Sequence, residues 1–77
     1  MINKEKMKIT RLVAAGNSYK VGEESRVVLS YGESIQKVVK IGFSAGTSGV
    51  EYVVKLEGGE ILQFRGAHSF IATWERR

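Results

Sequence analysis

Between Val50 and Phe64 the chain alternates apolar and polar positions with a period of two. Val50, Tyr52, Val54 and Leu56 fall on one side, and Glu51, Val53 and Lys55 on the other. After Glu57-Gly58-Gly59 the apolar row resumes at Leu62 and Phe64. Such a pattern broken by a glycine pair predicts a β-hairpin with one buried face. Two shorter runs read the same way. Arg26–Tyr31 places Val27, Leu29 and Tyr31 on a predicted core side and Arg26, Val28 and Ser30 opposite, and Gly32-Glu33-Ser34 closes it. Lys37–Phe43 places Val39, Ile41 and Phe43 inward and Val38 and Lys40 outward. Ser44–Gly49 reads as a polar flexible loop, Gly16-Asn17-Ser18 as a turn, and Gly66-Ala67 as a bend into a last strand, Ser69–Trp74.

The first fifteen residues admit two readings. Asn3 is a candidate cap for a helix with the apolar stripe Ile9, Leu12 and Val13, stopped at Gly16. The β-branched Ile9, Thr10 and Val13 favour instead a strand from Ile9 to Ala14, after a leader that is loose or briefly helical. The balance falls on the strand. The expected organisation is a leader over residues 1–8, one domain over 9–74 and a charged tail over 75–77. Short strands separated by glycine-rich turns predict an all-β fold, a small five- to six-stranded barrel or curled antiparallel sheet. Closure matters at this size, because open edges invite pairing with other chains and no proline guards them.

Val21-Gly22, then Val27-Val28-Leu29, then Val38-Val39-Lys40-Ile41, then Tyr52-Val53-Val54-Lys55-Leu56-Glu57-Gly58-Gly59 resembles the SH3-like barrels of the Tudor and KOW type. The resemblance spans roughly Tyr19 to Trp74 and lies in strand spacing. It implies binding of proteins, peptides or nucleic acid rather than catalysis. A clustered set of loop aromatics, as in methyl-lysine readers, is not evident, so no aromatic cage is carried over.

With 77 residues there is room for one domain and none for a deep interlobe cleft. The chain has no cysteine, hence neither disulfides nor a thiolate metal site. No apolar run approaches the ~20 residues of a membrane-spanning helix, and Met1–Lys8 has no segment like a secretory signal core. These features point to a cytoplasmic protein with no membrane partner. Twelve Lys and Arg against eight Glu give a net charge of +4, which favours acidic or phosphate-bearing partners.

Candidate chemistry is sparse. His68 is the sole histidine and no aspartate is present, so no Ser-His-Asp or Cys-His set is available and no catalytic residue is assigned. One histidine with scattered glutamates does not supply a zinc site; no metal or other cofactor is expected. His68, after Gly66-Ala67, reads first as a turn histidine and second as a ligand contact. The glycines of Gly42–Gly49 lack the spacing and following Lys-Ser or Lys-Thr of a phosphate loop. Glu23 with Glu24, and Glu57 with Glu60, flank turns where solvated charges are ordinary.

The outward positions carry more information. Arg26, Lys40, Lys55 and Arg65 alternate there with Val28, Val38, Val53 and Ile61, more branched apolar residues than solubility requires. Three covers would account for them: the leader, a protein partner or second copy of the chain, or a nucleic acid with Lys40, Lys55 and Arg65 on phosphates. Tyr19, His68 and Trp74 are the aromatics left for base stacking, Trp74 reading more simply as a barrel plug. The expectation is a non-catalytic protein-binding module, of the kind phages and mobile elements use to occlude a host complex. The alternative is a nucleic-acid-binding barrel. Candidate contact residues are Arg26, Lys40, Val53, Lys55, Ile61, Arg65, His68, Trp74, Arg76 and Arg77.

Overall fold

A computed structural model describes residues 7–47, 49–65 and 70–76. Among them the chain is all-β, mostly strand, with no helix. The elements are β1 (Met7–Ala14), β2 (Asn17–Lys20), β3 (Glu24–Leu29), β4 (Gly32–Gly46), β5 (Gly49–Leu56), β6 (Ile61–Arg65) and β7 (Ile71–Arg76). Every ladder is antiparallel. One sheet has the order β2-β1-β7; the other, β3-β4-β5-β6, curls into a half-barrel. The N-terminal alternative resolves as strand, which already includes Met7 and Lys8, and β7 continues through Glu75 and Arg76. The Gly66-Ala67 bend, His68 and Arg77 lie outside the described residues.

Two β-bulges produce the curl. In β1 the register against β7 shifts between Ile9 and Arg11; in β4 the register against β5 shifts between Val38 and Lys40. Each inserts one residue, Thr10 or Val39, and a bulge bends its strand and raises its twist. Buried residues on either side are therefore three apart, Ile9 and Leu12 in β1, Val38 and Ile41 in β4. The i, i+3 spacing that resembled a helical stripe is a bulged strand. The same shift corrects the expectation for β4: Val38 is fully buried, and Val39, expected inside, is 54% exposed.

Val21 joins the two sheets where both strands bulge. Its N–H donates to the Thr10 carbonyl (3.0 Å), and the next N–H, of Gly22, donates to the Val38 carbonyl (2.9 Å). Val21 and Val38 form an isolated parallel bridge. The core between the sheets gathers Ile9, Leu12, Ala14, Tyr19, Val27, Val38, Ile41, Val54 and Leu56. An aromatic layer extends it: Trp74 meets Phe43 edge-on at 5.5 Å, and Phe70 meets Tyr52 at 5.9 Å and Phe64 at 6.1 Å.

Turn chemistry accounts for the other departures. The β1–β2 turn is Ala15-Gly16, with φ of 52° and 77°, a type I′ hairpin turn; Asn17 and Ser18 belong to β2. Tyr31, expected on the core face with Val27 and Leu29, sits in the β3–β4 turn and is 65% exposed. Ser44–Gly49 is not a long loop. Ser44, Ala45 and Gly46 extend β4 and Gly49 opens β5, with Ser44 opposite Glu51, Ala45 opposite Val50 and Gly46 opposite Gly49.

Candidate partner-binding face

The β4-β5-β6 ladders set the outer face in three rows. Lys40 lies opposite Lys55, and Lys55 opposite Ile61; Gly42, Val53 and Gln63 form the next row; Ser44, Glu51 and Arg65 form the third. The Gly42 row is low, since glycine has no side chain, and Val53 is half-buried within it. Arg65 Nε donates to Glu51 Oε2. Lys40 and Lys55 have no ion-pair partner among the described residues. Like charges directly opposite on a ladder repel, so this row is electrostatically unsatisfied among the described residues. Ile61 beside it is 53% exposed.

Five sequence candidates thus stand together: Lys40, Val53, Lys55, Ile61 and Arg65. Arg26 does not join them. The β4 bend carries β3 to the far arm of the curl, where Arg26 is exposed opposite Ile35. Trp74 points inward onto Phe43, half-buried. Arg76 is exposed at the end of β7 opposite Met7. The pattern missed the exposed Val39, Ile35 and Tyr31. The Val38-Val39-Lys40-Ile41 doublet was the available signal for Val39, because two adjacent β-branched residues cannot share one face of a regular strand.

Two of the grooves beside this face run along β4 and β6. One, of about 590 Å³, runs between the start of β1 and the stretch of β4 beyond its bulge, with Lys8, Val21, Val39, Lys40 and Trp74 in its walls. The other, of about 330 Å³, lies along β6 and is lined by Asn17, Tyr19, Val28, Ile61, Leu62 and Phe64 among others. It brings Val28 of β3, 74% exposed, and Ile61 to one opening.

The backbone of β6 is open on this side. The Leu56 N–H donates to the Glu60 carbonyl (3.0 Å), so that pair is of the hydrogen-bonded kind. Along an antiparallel ladder the two kinds alternate. Leu62 and Phe64 therefore turn their backbone groups toward β5, and Ile61, Gln63 and Arg65 turn theirs away from it. No described strand pairs with that edge.

Among the described residues no three His, Cys, Asp or Glu side chains cluster as a metal site would, and no helix is long and apolar enough to cross a membrane. The shifted ionisable groups belong to a polar clamp at the β5–β6 turn. Gln36 Nε2 and the Tyr31 hydroxyl each donate to Glu60 at 3.1 Å, and the Gly58 N–H donates to Gln36 Oε1 at 2.9 Å. The Gln36 bond, then the Tyr31 bond, hold the Glu60 carboxyl below its ordinary value. Desolvation, then the Glu60 bond and charge, raise the Tyr31 hydroxyl. A Cβ at Gly58 would come within 2.7 Å of Gln36 Oε1, so a side chain there would push the clamp aside.

Compared with known proteins, the chain matches no family model, no curated protein and no solved structure. The functional reading therefore rests on the face itself.

Proposed function

We propose that the protein is a non-catalytic binding module that works through protein–protein contact, with the Lys40, Val53, Lys55, Ile61 and Arg65 face as its contact surface. The observation that carries this reading is the Lys40–Lys55–Ile61 row, where two like charges without an ion-pair partner among the described residues lie beside an exposed branched apolar side chain. An apolar centre beside charged, solvent-accessible side chains is the arrangement of an interface core and its polar rim. A small chain of this kind acts by occlusion, covering a surface of a larger complex, as accessory inhibitors of phages and mobile elements do.

The nucleic-acid alternative is less favoured by the aromatics. A single-stranded groove uses exposed rings on which bases stack. Tyr19 is buried and Trp74 is packed on Phe43; Tyr31, the most exposed ring described, is tied to Glu60 in the β3–β4 turn. The deciding experiment is affinity capture from nuclease-treated native host extract, run in parallel with wild type and the Lys40→Glu/Lys55→Glu variant. A stoichiometric protein retained by wild type and lost by the variant supports contact through this face. Recovery of nucleic acid alone from untreated extract, released with the steep salt dependence of phosphate contacts, overturns it.

A further inference from the structure

We infer that the open edge of β6 is a strand-addition site whose ligand is an extended peptide segment with an acidic residue at one end and apolar residues following it. This inference rests on the protein-contact reading and specifies its partner.

Three observations on β6 converge. The backbone groups of Ile61, Gln63 and Arg65 face away from β5, with no described strand beside them. An added antiparallel strand would pair with these three residues in turn, and each such pair exchanges two hydrogen bonds. Of the usual protections of an edge, β6 has no proline, no bulge and no lysine; it is short, and its one charged side chain, Arg65, is held by Glu51. The space beside it is a groove of about 330 Å³ with Tyr19, Leu62 and Phe64 in its lining and Val28 and Ile61 at the opening.

Charge selects the occupant. The outer face next to the edge carries Lys40, Lys55 and Arg65 against a single carboxylate, Glu51, already bound to Arg65. A second copy of this chain, pairing β6 with β6 about Gln63, would set Ile61 opposite the other copy's Arg65 and bring two cationic faces side by side. An acidic strand meets the same edge without that repulsion. The register then fixes a pattern. Residues of the ligand opposite Arg65, Gln63 and Ile61 are acidic, polar and apolar in that order, and the two between them, opposite Phe64 and Leu62, point into the groove and are small and apolar.

The probe is a synthetic fluorescent nonapeptide with glutamate at position 2, valine at 3, threonine at 4, and valine at 5 and 6. Binding by the wild-type protein is followed by anisotropy. N-methylation at positions 4 and 6, whose N–H groups face β6 in this register, should weaken binding by at least about tenfold; methylation at 3 and 5 should leave it nearly intact. Glutamate to lysine at position 2 should weaken it several-fold. Gln63→Pro, which removes an N–H that the protein's own ladder does not use, should abolish binding while the circular dichroism and melting curve stay those of a folded chain. The methylated peptides carry the test even if that variant unfolds. Three outcomes overturn the inference: no binding of the nonapeptide, equal binding of both methylated forms, or a concentration-dependent dimer that Gln63→Pro dissociates. Equal binding of the methylated forms together with loss on Lys40→Glu/Lys55→Glu would remove strand addition and leave protein contact through the face standing.

Discussion

Among the described residues the edges of β2 and β3 face each other without a backbone ladder, and the outer edge of β6 has no strand beside it; the two are treated differently. At the seam of β2 and β3, side chains close the gap: Asn17 Nδ2 donates to the Arg26 carbonyl at 3.3 Å and the Ser25 hydroxyl to the Ser18 carbonyl at 3.3 Å. At β6 no described side chain does this. The same elements that would have to close it, the β1–β2 hairpin and β3, stop short and leave a groove. Short polar side chains of suitable reach suffice to join two edges, since an edge carbonyl accepts from Asn or Ser as readily as from another strand. The open edge is thus a property of the residues placed there, Ile61, Gln63 and Arg65, whose side chains point off the sheet or to Glu51.

The comparison breaks most visibly in stability. Leu12 is fully enclosed between the sheets, on the closed side. Leu12→Ala should lower the unfolding free energy by about 3 kcal/mol in denaturant titration. Ile61→Ala, on the open side, should change it by less than about 0.5 kcal/mol while reducing partner binding. Comparable losses at the two sites would show that the β6 edge is covered in the native protein. The seam itself is sharpened by Asn17→Ala, which removes the donor to Arg26 and a second contact with the Tyr19 hydroxyl. A loss of about 1 kcal/mol is expected.

How much of this the residues disclose by local pattern differs between the two regions. The β5–β6 hairpin is legible because its alternation runs unbroken from Val50 to Leu56 and resumes in step at Leu62 after the glycine turn, and with it come Val53, Lys55, Ile61 and Arg65 on one face. The bulges at Thr10 and Val39 are not, because what creates them is a distant residue: Val21 must reach the Thr10 carbonyl while Gly22 reaches that of Val38. That long-range demand puts Val38 inside and Val39 outside, and gives Ile9 and Leu12 a helical spacing in a strand. Lys40 kept its outward place only because the inserted residue precedes it. Val28 was legible as outward-facing, but its meeting with Ile61 across a groove depends on the curl and so could not be read from either strand alone.

A smaller effect tests the hairpin that supports the seam. Ala15 holds a φ of 52°, a conformation in which a Cβ is crowded and glycine is not. Ala15→Gly should relieve this strain and, after the added flexibility of the unfolded chain is counted, raise stability by about 0.5 kcal/mol. Because Ala15 also borders the β6 groove, peptide binding there should be unchanged or slightly stronger. A destabilised Ala15→Gly protein would mean that the turn does not adopt the type I′ form.

The smallest expected effect concerns the clamp that fixes the β5–β6 turn and hence where β6 begins. Gln36 and Tyr31 both donate to Glu60, and its carboxyl titrates below the ordinary 4.5. A depressed folded-state value means that the ionised form is favoured by folding. Its contribution is therefore complete above the unfolded value and disappears as pH falls through the folded one. Tyr31 has the opposite sign: raised above 10.0, it contributes below its unfolded value and loses that contribution as pH rises past it. Both groups are solvent-exposed, so screening keeps each effect small. Melting temperatures of wild type and Glu60→Gln, followed from pH 7 to pH 3, should converge on the acid side because only wild type loses this term. Tyr31→Phe should flatten the alkaline limb and, with one donor gone, also narrow the acid-side difference between wild type and Glu60→Gln. Parallel curves for wild type and Glu60→Gln across the acid range would remove the clamp as the element that sets the start of the open edge.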